Sequence, residues 1–305
     1  MRLLNTLSFN MDATGGSRQA AVLIVVGMAF IGFTDNLLPL VSGESSLWQF
    51  HVLRGAMVLT ALIIASWFGA GALWPKQPVG VIGRGVLQTV AMMIYFGCIV
   101  LMPIGVVVAG LFTAPMFVLL IEVLFMGKKV GKYRWAAISI GFVGVLVVIR
   151  PDPNALDWLS FMPVIAGLFY AVGAIATRSW CEGEDTLTLA FWFFVSIFLA
   201  GCVGVLLLPA GGEGFIARGW MPVTGPMLGW IALMGAIALV GMSMITRGYQ
   251  VGEASVAAVF EYSLLLFASF WAWMLWAQTE PLISYLGMAL IASAGVIITI
   301  RDDTV

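Results

Sequence analysis

Long apolar runs dominate this sequence, and two of them near its C-terminal end limit the possible folds most strongly. Ala254–Trp276 and Leu282–Ile300 are separated only by a short polar stretch that contains Pro281. Each run is about as long as the ~20 residues that an α-helix needs to cross a bilayer. Because lipid tails offer no hydrogen-bond partners to exposed peptide groups, such runs are expected to be helices.

The same pattern continues along the whole chain. With 62% apolar and 10% charged residues, the chain is far more apolar than a soluble domain, which carries roughly 25% charge. We predict ten spans, at about residues 20–40, 47–68, 85–101, 104–125, 133–149, 159–180, 187–209, 226–246, 254–276 and 282–300. The sequence therefore predicts an all-α polytopic membrane protein.

The lysines and arginines predict the orientation. With the N-terminus inside, nearly all of them fall on the inner side, whereas the outer side receives only Arg150 and Arg218, and Arg54 lies within a span. Such an excess marks the cytoplasmic side. We therefore predict a multi-pass protein of the inner or plasma membrane with two cytoplasmic tails, 1–19 and 302–305. A cleaved signal peptide is not expected, because the first tail has no apolar run.

An internal repeat relates the two halves of the chain. Shifted by 151 positions, residues 127–150 align without a gap with residues 278–301. The matches are Ile140, Gly144, Val145, Ile149 and Arg150 with Ile291, Gly295, Val296, Ile300 and Arg301. Because each half has five spans, the second half enters the membrane in the opposite sense. We predict two inverted five-helix repeats, 20–150 and 158–301, an architecture that surrounds a midplane site.

Three stretches of the sequence carry a family resemblance: GLFTAPMFVLLIEVLFMGKKVGKYRWAAISIGFVGVLVVIR, VAAVFEYSLLLFASFWAWMLWAQTEPLISYLGMALIASAGVIITIR and WQFHVLRGAMVLTAL. They resemble the EamA-type members of the drug/metabolite transporter superfamily. The resemblance implies a central cavity lined by spans 1, 3, 4, 6, 8 and 9, with spans 5 and 10 more peripheral. Members often carry an acidic residue before a basic one after span 4; Gly127-Lys128-Lys129 has none, so a loop ion pair there is not expected.

Glu261 is the first candidate for a functional residue, because it lies about a third of the way along the ninth span. A carboxylate is costly among lipid tails, so we expect it to face a cavity or a partner. An acid in such a place is suited to carrying a proton or to facing a cationic substrate. A structural acid, hydrogen-bonded to a neighbouring helix, is the alternative.

Polar and aromatic residues in spans 1 and 3 are further candidates for substrate binding. Gln88, Met92 and Tyr95 recur at helical spacing and form one stripe along span 3. We expect Gln88 and Tyr95 to line a wet cavity, although Gln88 could equally form an interhelical hydrogen bond worth ~1 kcal/mol. Phe30 and Thr34 share a face of span 1 and are candidates for the same cavity.

Asp35 and Arg54 are candidates for gating. Asp35 precedes Pro39, which loosens the end of span 1, although a cap at the interface would have the same sequence. Arg54 lies seven residues into span 2 and could extend outward to the interface or pair with Asp35 or Glu44. We expect a structural salt bridge for Arg54, and direct contact with substrate is the alternative.

Aromatic residues are abundant, with 20 Phe, 12 Trp and 6 Tyr, and most are expected at the lipid surface or the interfaces. Phe169 and Trp192 lie deeper in their spans, and by position in the family's pattern Phe112 and Tyr170 are expected in or near the cavity. Aromatic rings around one acid suit an organic cation or zwitterion through cation–π attraction. They would suit an aromatic amino acid nearly as well.

Other classes of function find little support. The three cysteines are scattered and His51 is the single histidine, so we expect no metal, cofactor or disulfide. The net charge of −1 provides no basic arm for nucleic acid, and there is no Walker motif for ATP. A membrane-embedded enzyme of lipid metabolism would need clustered acids, histidines or cysteines, which this sequence lacks.

We therefore predict a secondary transporter, not an enzyme, that moves a small organic metabolite by alternating access. The expected substrate is amino-acid-like, zwitterionic or cationic, and proton coupling through Glu261 is a hypothesis. An uncoupled facilitator or exporter of aromatic or drug-like amphipathic compounds is the alternative, as is an assembly or sensor subunit without transport. The expected partners are the substrate and the bilayer, and the protein could be a monomer or a homodimer.

Overall fold

The computed structural model describes residues 13–102, 104–152, 158–207 and 211–301, and within them every regular element is helical. The predicted tail 302–305 and the first twelve residues of the tail 1–19 lie outside the described residues. The α-helices are α1 Ala13–Leu37, α2 Pro39–Ser42, α3 Leu47–Trp67, α4 Pro78–Leu101, α5 Ile104–Leu111, α6 Ala114–Leu124, α7 Lys132–Ile149, α8 Met162–Ser179, α9 Thr186–Leu207, α10 Gly225–Val251, α11 Ala254–Glu261, α12 Ser263–Trp276 and α13 Leu282–Arg301.

Ten helical segments of the described chain are long and apolar enough to cross a membrane, which confirms the predicted all-α polytopic fold. The first combines α1 and α2, the fourth α5 and α6, and the ninth α11 and α12; a short 3₁₀ turn precedes α8 in the sixth. The third span begins earlier than predicted, at Pro78 rather than near residue 85. Proline fits the first turn of a helix, where its missing N–H is not needed. The earlier start places Arg84 inside the helix.

The helix ends lie on two faces of the bundle. Loops 68–77, 125–131, 180–185 and 252–253 share one face, which we call the basic face because it carries most of the loop lysines. Lys76 Nζ donates to Gly183 O there (2.7 Å). Loops 43–46, 211–224 and 277–281 lie on the other side, which we call the opposite face. Arg218 Nη1 donates to Gly43 O on it (2.7 Å).

The packing of the helices follows a two-fold relation between the halves. Helix α1 packs on α10 as α8 packs on α4, and α4 packs on α9 as α10 packs on α3. The pairs α3–α9 and α7–α13 each join one half to the other. The two-fold relation thus pairs each span of the first half with the span five later in the chain. This is the pairing expected of two inverted five-helix repeats.

Two glycines bring α7 and α13 into backbone contact. A Cβ atom built on Gly144 would lie 2.7 Å from Gly287 O, and one built on Gly287 would lie 2.7 Å from Gly144 O. Small residues allow such close approach, which is a main source of helix association in membranes. Neither helix contributes to the cavity described below, so the pair joins the two halves at a distance from it.

The fourth and ninth spans are both interrupted, and at equivalent positions. The break between α5 and α6 falls at Phe112–Thr113, and the break between α11 and α12 falls at Tyr262. The shift of 151 positions places Leu111 on Tyr262, so the interruptions agree within two residues. At each break a hydroxyl competes with the backbone: Thr113 Oγ1 donates to Gly110 O and Ser263 Oγ to Phe260 O, both at 2.6 Å.

Candidate substrate cavity

A cavity lies between the two halves and is lined by residues of eight spans. Spans 5 and 10 contribute none of the described lining, as expected, but α3 and α9 of spans 2 and 7 do, which the resemblance did not imply. Both helix breaks reach it, through Phe112 of one and Leu264 beside the other. The structure brings together eight of the predicted site residues: Thr34, Asp35, Arg54, Gln88, Tyr95, Phe112, Tyr170 and Glu261.

Glu261 occupies the deep end of the cavity, at the last residue of α11. Its side chain is only 4% exposed, and Tyr170 Oη of α8 donates a hydrogen bond of 2.7 Å to Glu261 Oε1. Hydrogen bonds to an ionised acceptor are short and comparatively strong. Tyr249 of α10 also interacts electrostatically with Glu261, although its hydroxyl is not within hydrogen-bonding geometry of any described residue. Glu261 therefore faces both the cavity and a partner.

Gln88 of α4 lines the same cavity, where it is 5% exposed and its Oε1 has no hydrogen-bond partner. It passes close to Gly173 of α8, where an added Cβ would lie 2.7 Å from Gln88 Cγ. A buried amide oxygen without a partner carries a desolvation cost. Of the two roles predicted for Gln88, its position in the lining supports the cavity rather than an interhelical hydrogen bond.

Asp35 and Arg54 line the end of the cavity nearer the opposite face. Asp35 is exposed, and the two charges interact electrostatically without forming one of the ion pairs found between described residues. Glu44, the other partner considered for Arg54, instead accepts from Thr224 Oγ1 at 3.4 Å. The structural salt bridge expected of Arg54 is therefore absent from the described part of the chain.

Three predicted site residues lie outside the cavity lining. Trp192 is held towards the basic face, because its Nε1 donates to Leu73 O at 3.1 Å and its ring packs against the Val81 cluster. Phe169 precedes Tyr170, and residues one apart on a helix do not share a face. Phe30 packs beside Gly241 of α10 and is 37% exposed. We do not carry these three forward as substrate contacts.

The basic face of the cavity is closed by contacts that the sequence did not predict. Arg134 of α7 pairs with Glu253 just before α11, and Arg178 of α8 donates to Gly252 O. Lys128 Nζ also bonds Glu122 Oε1 at 2.6 Å, so this loop has an ion pair, although not the one the family pattern would place there. We call the Arg134, Arg178, Gly252 and Glu253 contacts the basic-face seal.

The helices also pack together more closely on the basic face. Helix α11 packs on α6, α7 and α8. By the two-fold relation, the counterparts of these three pairs are α5–α12, α5–α13 and α5–α1. Within the described residues, each counterpart packs less extensively than the pair to which it corresponds. The asymmetry is therefore local: α11 packs more closely near the basic face than its counterpart α5 does near the opposite face, where Asp35 is exposed.

A buried cation, Arg84, lies between the cavity and the basic face, and the sequence did not single it out. Arg84 is 1% exposed and donates from Nε to Thr177 Oγ1 (2.9 Å), from Nη1 to Leu189 O (3.1 Å) and from Nη2 to Thr246 Oγ1 (3.1 Å). It thereby connects α4 with α8, α9 and α10. In sequence it resembled another positive residue near the inner end of a span, and nothing in the pattern indicated its three partners.

Comparison with known proteins finds membrane transporters. Residues 18–150, which contain the first repeat, match the model of the EamA-like transporter family. The chain is 25% identical to a riboflavin transporter of Rhizobium johnstonii, over 98% of its own length and 96% of the relative. It is 23% identical to a pseudopaline exporter of Pseudomonas aeruginosa, over 77% and 80%.

The fold of this protein also has a solved counterpart. A protein crystal structure matches it with a TM-score of 0.71 at 16% identity, covering 96% of the chain and 99% of its counterpart. At that identity the match speaks for the fold alone. It supports the ten-span arrangement over the entire bundle, including the second half, which the family model does not reach.

Proposed function

We propose that this protein moves a small organic metabolite across the membrane by alternating access through the central cavity. The observation that most supports this proposal is the pair of helix breaks at equivalent positions of the two halves, which lie beside one cavity that contains the buried Glu261. Thr113 and Tyr262 keep helical dihedral angles, so these breaks are local irregularities rather than unwound segments. In transporters built from inverted repeats, the substrate site lies near the midplane at the interface of the repeats, where helices are typically discontinuous. The named relatives are transporters too, which supports transport rather than an enzymatic activity.

Alternating access is supported by the asymmetry between the two faces. The seal and the packing of α11 close the basic face, whereas the matching contacts at the opposite face are weak. A two-fold related bundle can exchange these arrangements, so that α5 closes against α12 as α11 opens from α6. We propose that the structure represents one of two such states, that the basic face is cytoplasmic, as the positive residues favour, and that the membrane is the inner or plasma membrane.

The substrate class follows from the cavity rather than from the relatives. One relative is named for riboflavin and the other for pseudopaline, so the relatives do not share a single substrate. Tyr95, Phe96 and Phe112 supply aromatic walls, and Glu261 supplies a carboxylate. Such walls with an acid suit an amino-acid-like compound, zwitterionic or cationic, through cation–π and charge interactions. Riboflavin belongs in the same screen as the neutral alternative.

Binding and uptake test this proposal together. Purified protein in detergent is screened by thermal shift against amino acids, betaines, polyamines, nucleosides and riboflavin, and each stabilising compound is then assayed for uptake into proteoliposomes. We expect saturable uptake that is reduced in Glu261→Gln and unchanged in Glu44→Gln, since Glu44 lies outside the cavity lining. If no compound both stabilises the protein and crosses the membrane, transport through this cavity is wrong.

Proton coupling is a separate part of the proposal and rests on Glu261 alone. An imposed pH gradient should accelerate uptake by the wild-type protein. In Glu261→Gln the carboxyl group can no longer release a proton, so any remaining uptake should not respond to the gradient. A wild type and a variant that respond to the gradient to the same extent would exclude Glu261 as the coupling residue. If neither responds, the protein is an uncoupled facilitator.

A further inference from the structure

Asp35 and Arg54 form a charged pair of a kind that does not occur elsewhere in the described cavity lining. They come from different helices, α1 and α3, and both line the end of the cavity nearer the opposite face. Each is close enough to interact with the other electrostatically, yet they form no direct ion pair. This end of the cavity thus presents an anion and a cation that do not pair directly, each with part of its binding capacity unused.

Neutral groups hold the guanidinium of Arg54 in place. Its Nη2 lies 3.3 Å from His51 Nδ1, and its Cζ lies 4.7 Å from the centre of the Phe50 ring. Its buried Nε has no hydrogen-bond partner. Since a guanidinium carries five N–H donors in a planar fork, this arrangement leaves donors and the positive charge for a further acceptor.

The carboxylate of Asp35 is similarly available. Its backbone carbonyl accepts from Leu38 N (3.2 Å) at the turn before Pro39, and its side chain makes no hydrogen bond to any described residue. It is exposed, so a ligand can reach it from the opposite face. A group with a positive charge next to a negative one would satisfy both side chains, with its carboxylate on Arg54 and its ammonium on Asp35.

The rest of the lining indicates where the remainder of such a ligand would extend. Tyr95 and Phe96 of α4 and Phe112 at the first helix break provide aromatic surface between the two ends. At the deep end, Gln88 Oε1 is buried without a partner and Glu261 accepts from Tyr170. Those oxygens are acceptors for hydrogen-bond donors at the far end of a ligand.

We propose that Asp35 and Arg54 form the subsite for the ammonium and carboxylate groups of an α-amino-acid-type zwitterion whose apolar or aromatic body extends towards Glu261. This proposal rests on the proposed transport function and specifies its substrate class. It assigns to the two residues substrate recognition rather than the gating role predicted from the sequence.

Matched probes test the charges of the ligand one at a time. The zwitterions L-phenylalanine, L-tyrosine and L-tryptophan are each compared with the amine that lacks the carboxylate and the acid that lacks the ammonium, by inhibition of the uptake of the best transported compound. We expect at least one zwitterion to inhibit at a concentration at least about tenfold lower than both of its partners, since losing one charge-assisted contact costs about one order of magnitude.

Variants identify the side chains responsible. In Arg54→Gln the advantage of the zwitterion over its amine should disappear, and in Asp35→Asn its advantage over its acid should disappear. Arg218→Gln and Glu44→Gln serve as matched controls, because both lie at the same face but outside the cavity lining. Arg54→Lys, which retains the charge, should keep part of the preference, and thermal melts of all variants verify their folding.

The outcomes separate this proposal from the transport proposal. If a compound is transported in a Glu261-dependent way but no zwitterion is preferred, or if the preference survives in both Arg54→Gln and Asp35→Asn, the subsite is wrong and transport stands. If no compound is transported, both proposals fail. A preference that is lost in these two variants and kept in the two controls supports the subsite.

Discussion

The buried guanidinium of Arg84 allows a quantitative test of what holds the bundle together below the cavity. It donates to Thr177, Leu189 and Thr246 on three different helices from a site that is 1% exposed. The perturbation is Thr246→Val, which preserves the shape of the side chain but removes the acceptor of the Nη2 hydrogen bond. One N–H of a buried cation is then left without its partner.

The magnitude depends on whether Arg84 is present. Hydrogen bonds to charged groups contribute about 1.5–3 kcal/mol in soluble proteins, whereas interhelical hydrogen bonds in membranes average about 0.6 kcal/mol with a maximum near 1.7 kcal/mol. We therefore expect Thr246→Val to lower the free energy of unfolding by about 1–2 kcal/mol in the wild type. In an Arg84→Met background there is no N–H to strand, so the same change should cost less than about 0.5 kcal/mol.

Denaturant titration of the four proteins in detergent, followed by the fluorescence of the twelve tryptophans, measures this coupling energy. A coupling of about 1 kcal/mol corresponds to roughly a fivefold change in the folding equilibrium. Thr89→Val is the matched control, because Thr89 lies on α4 like Arg84 and its buried Oγ1 has no hydrogen-bond partner. Loss of that hydroxyl should be neutral or stabilising. Equal costs for Thr246→Val with and without Arg84 would refute the reasoning.

Three further predictions concern the helix pair α7–α13, a thiol and the basic-face seal. Gly144→Leu should lower the melting temperature, since overpacking costs about 1–3 kcal/mol, while Gly97→Ala, with open space around its Cα, should not. Burial raises the pKa of the Cys181 thiol to about 11, partly offset by nearby positive charge, so mass spectrometry should find slow iodoacetamide labelling at pH 7 that accelerates as the pH rises to about 9. Glu253→Ala removes the partner of Arg134; a pair this exposed contributes about 0.2–1 kcal/mol, so hydrogen exchange in the first turn of α11 should accelerate up to about fivefold, and unchanged exchange would contradict the seal.

Much of the fold was predictable because the bilayer imposes it. Ten runs of membrane-spanning length require helices, and the gapless shift of 151 positions favours an inverted repeat. The structure has both the ten helical spans and the two-fold packing of the halves. The breaks in the fourth and ninth spans were harder to predict. They depend on local competition, with the hydroxyls of Thr113 and Ser263 bonding to backbone carbonyls, and such residues also occur in continuous helices.

The site was predictable where one helix alone determines which face a residue occupies. Gln88 and Tyr95 share a stripe, and Glu261 had to avoid lipid, so these three were expected to face a cavity, and they lie in the described cavity lining. Trp192 lies outside that lining, because its direction depends on Leu73 in a distant loop. Arg84 was missed because its three acceptors come from three other spans, and a single sequence does not specify how those spans rotate against one another.

The close contact of Gly144 with Gly287 has a mechanical consequence. Where two backbones touch, the helices cannot slide or roll without collision, so α7 and α13 should behave as a fixed pivot while the remaining spans tilt around it. A covalent cross-link engineered between these two helices should therefore leave substrate turnover intact, whereas one that joins α6 to α11 should arrest it.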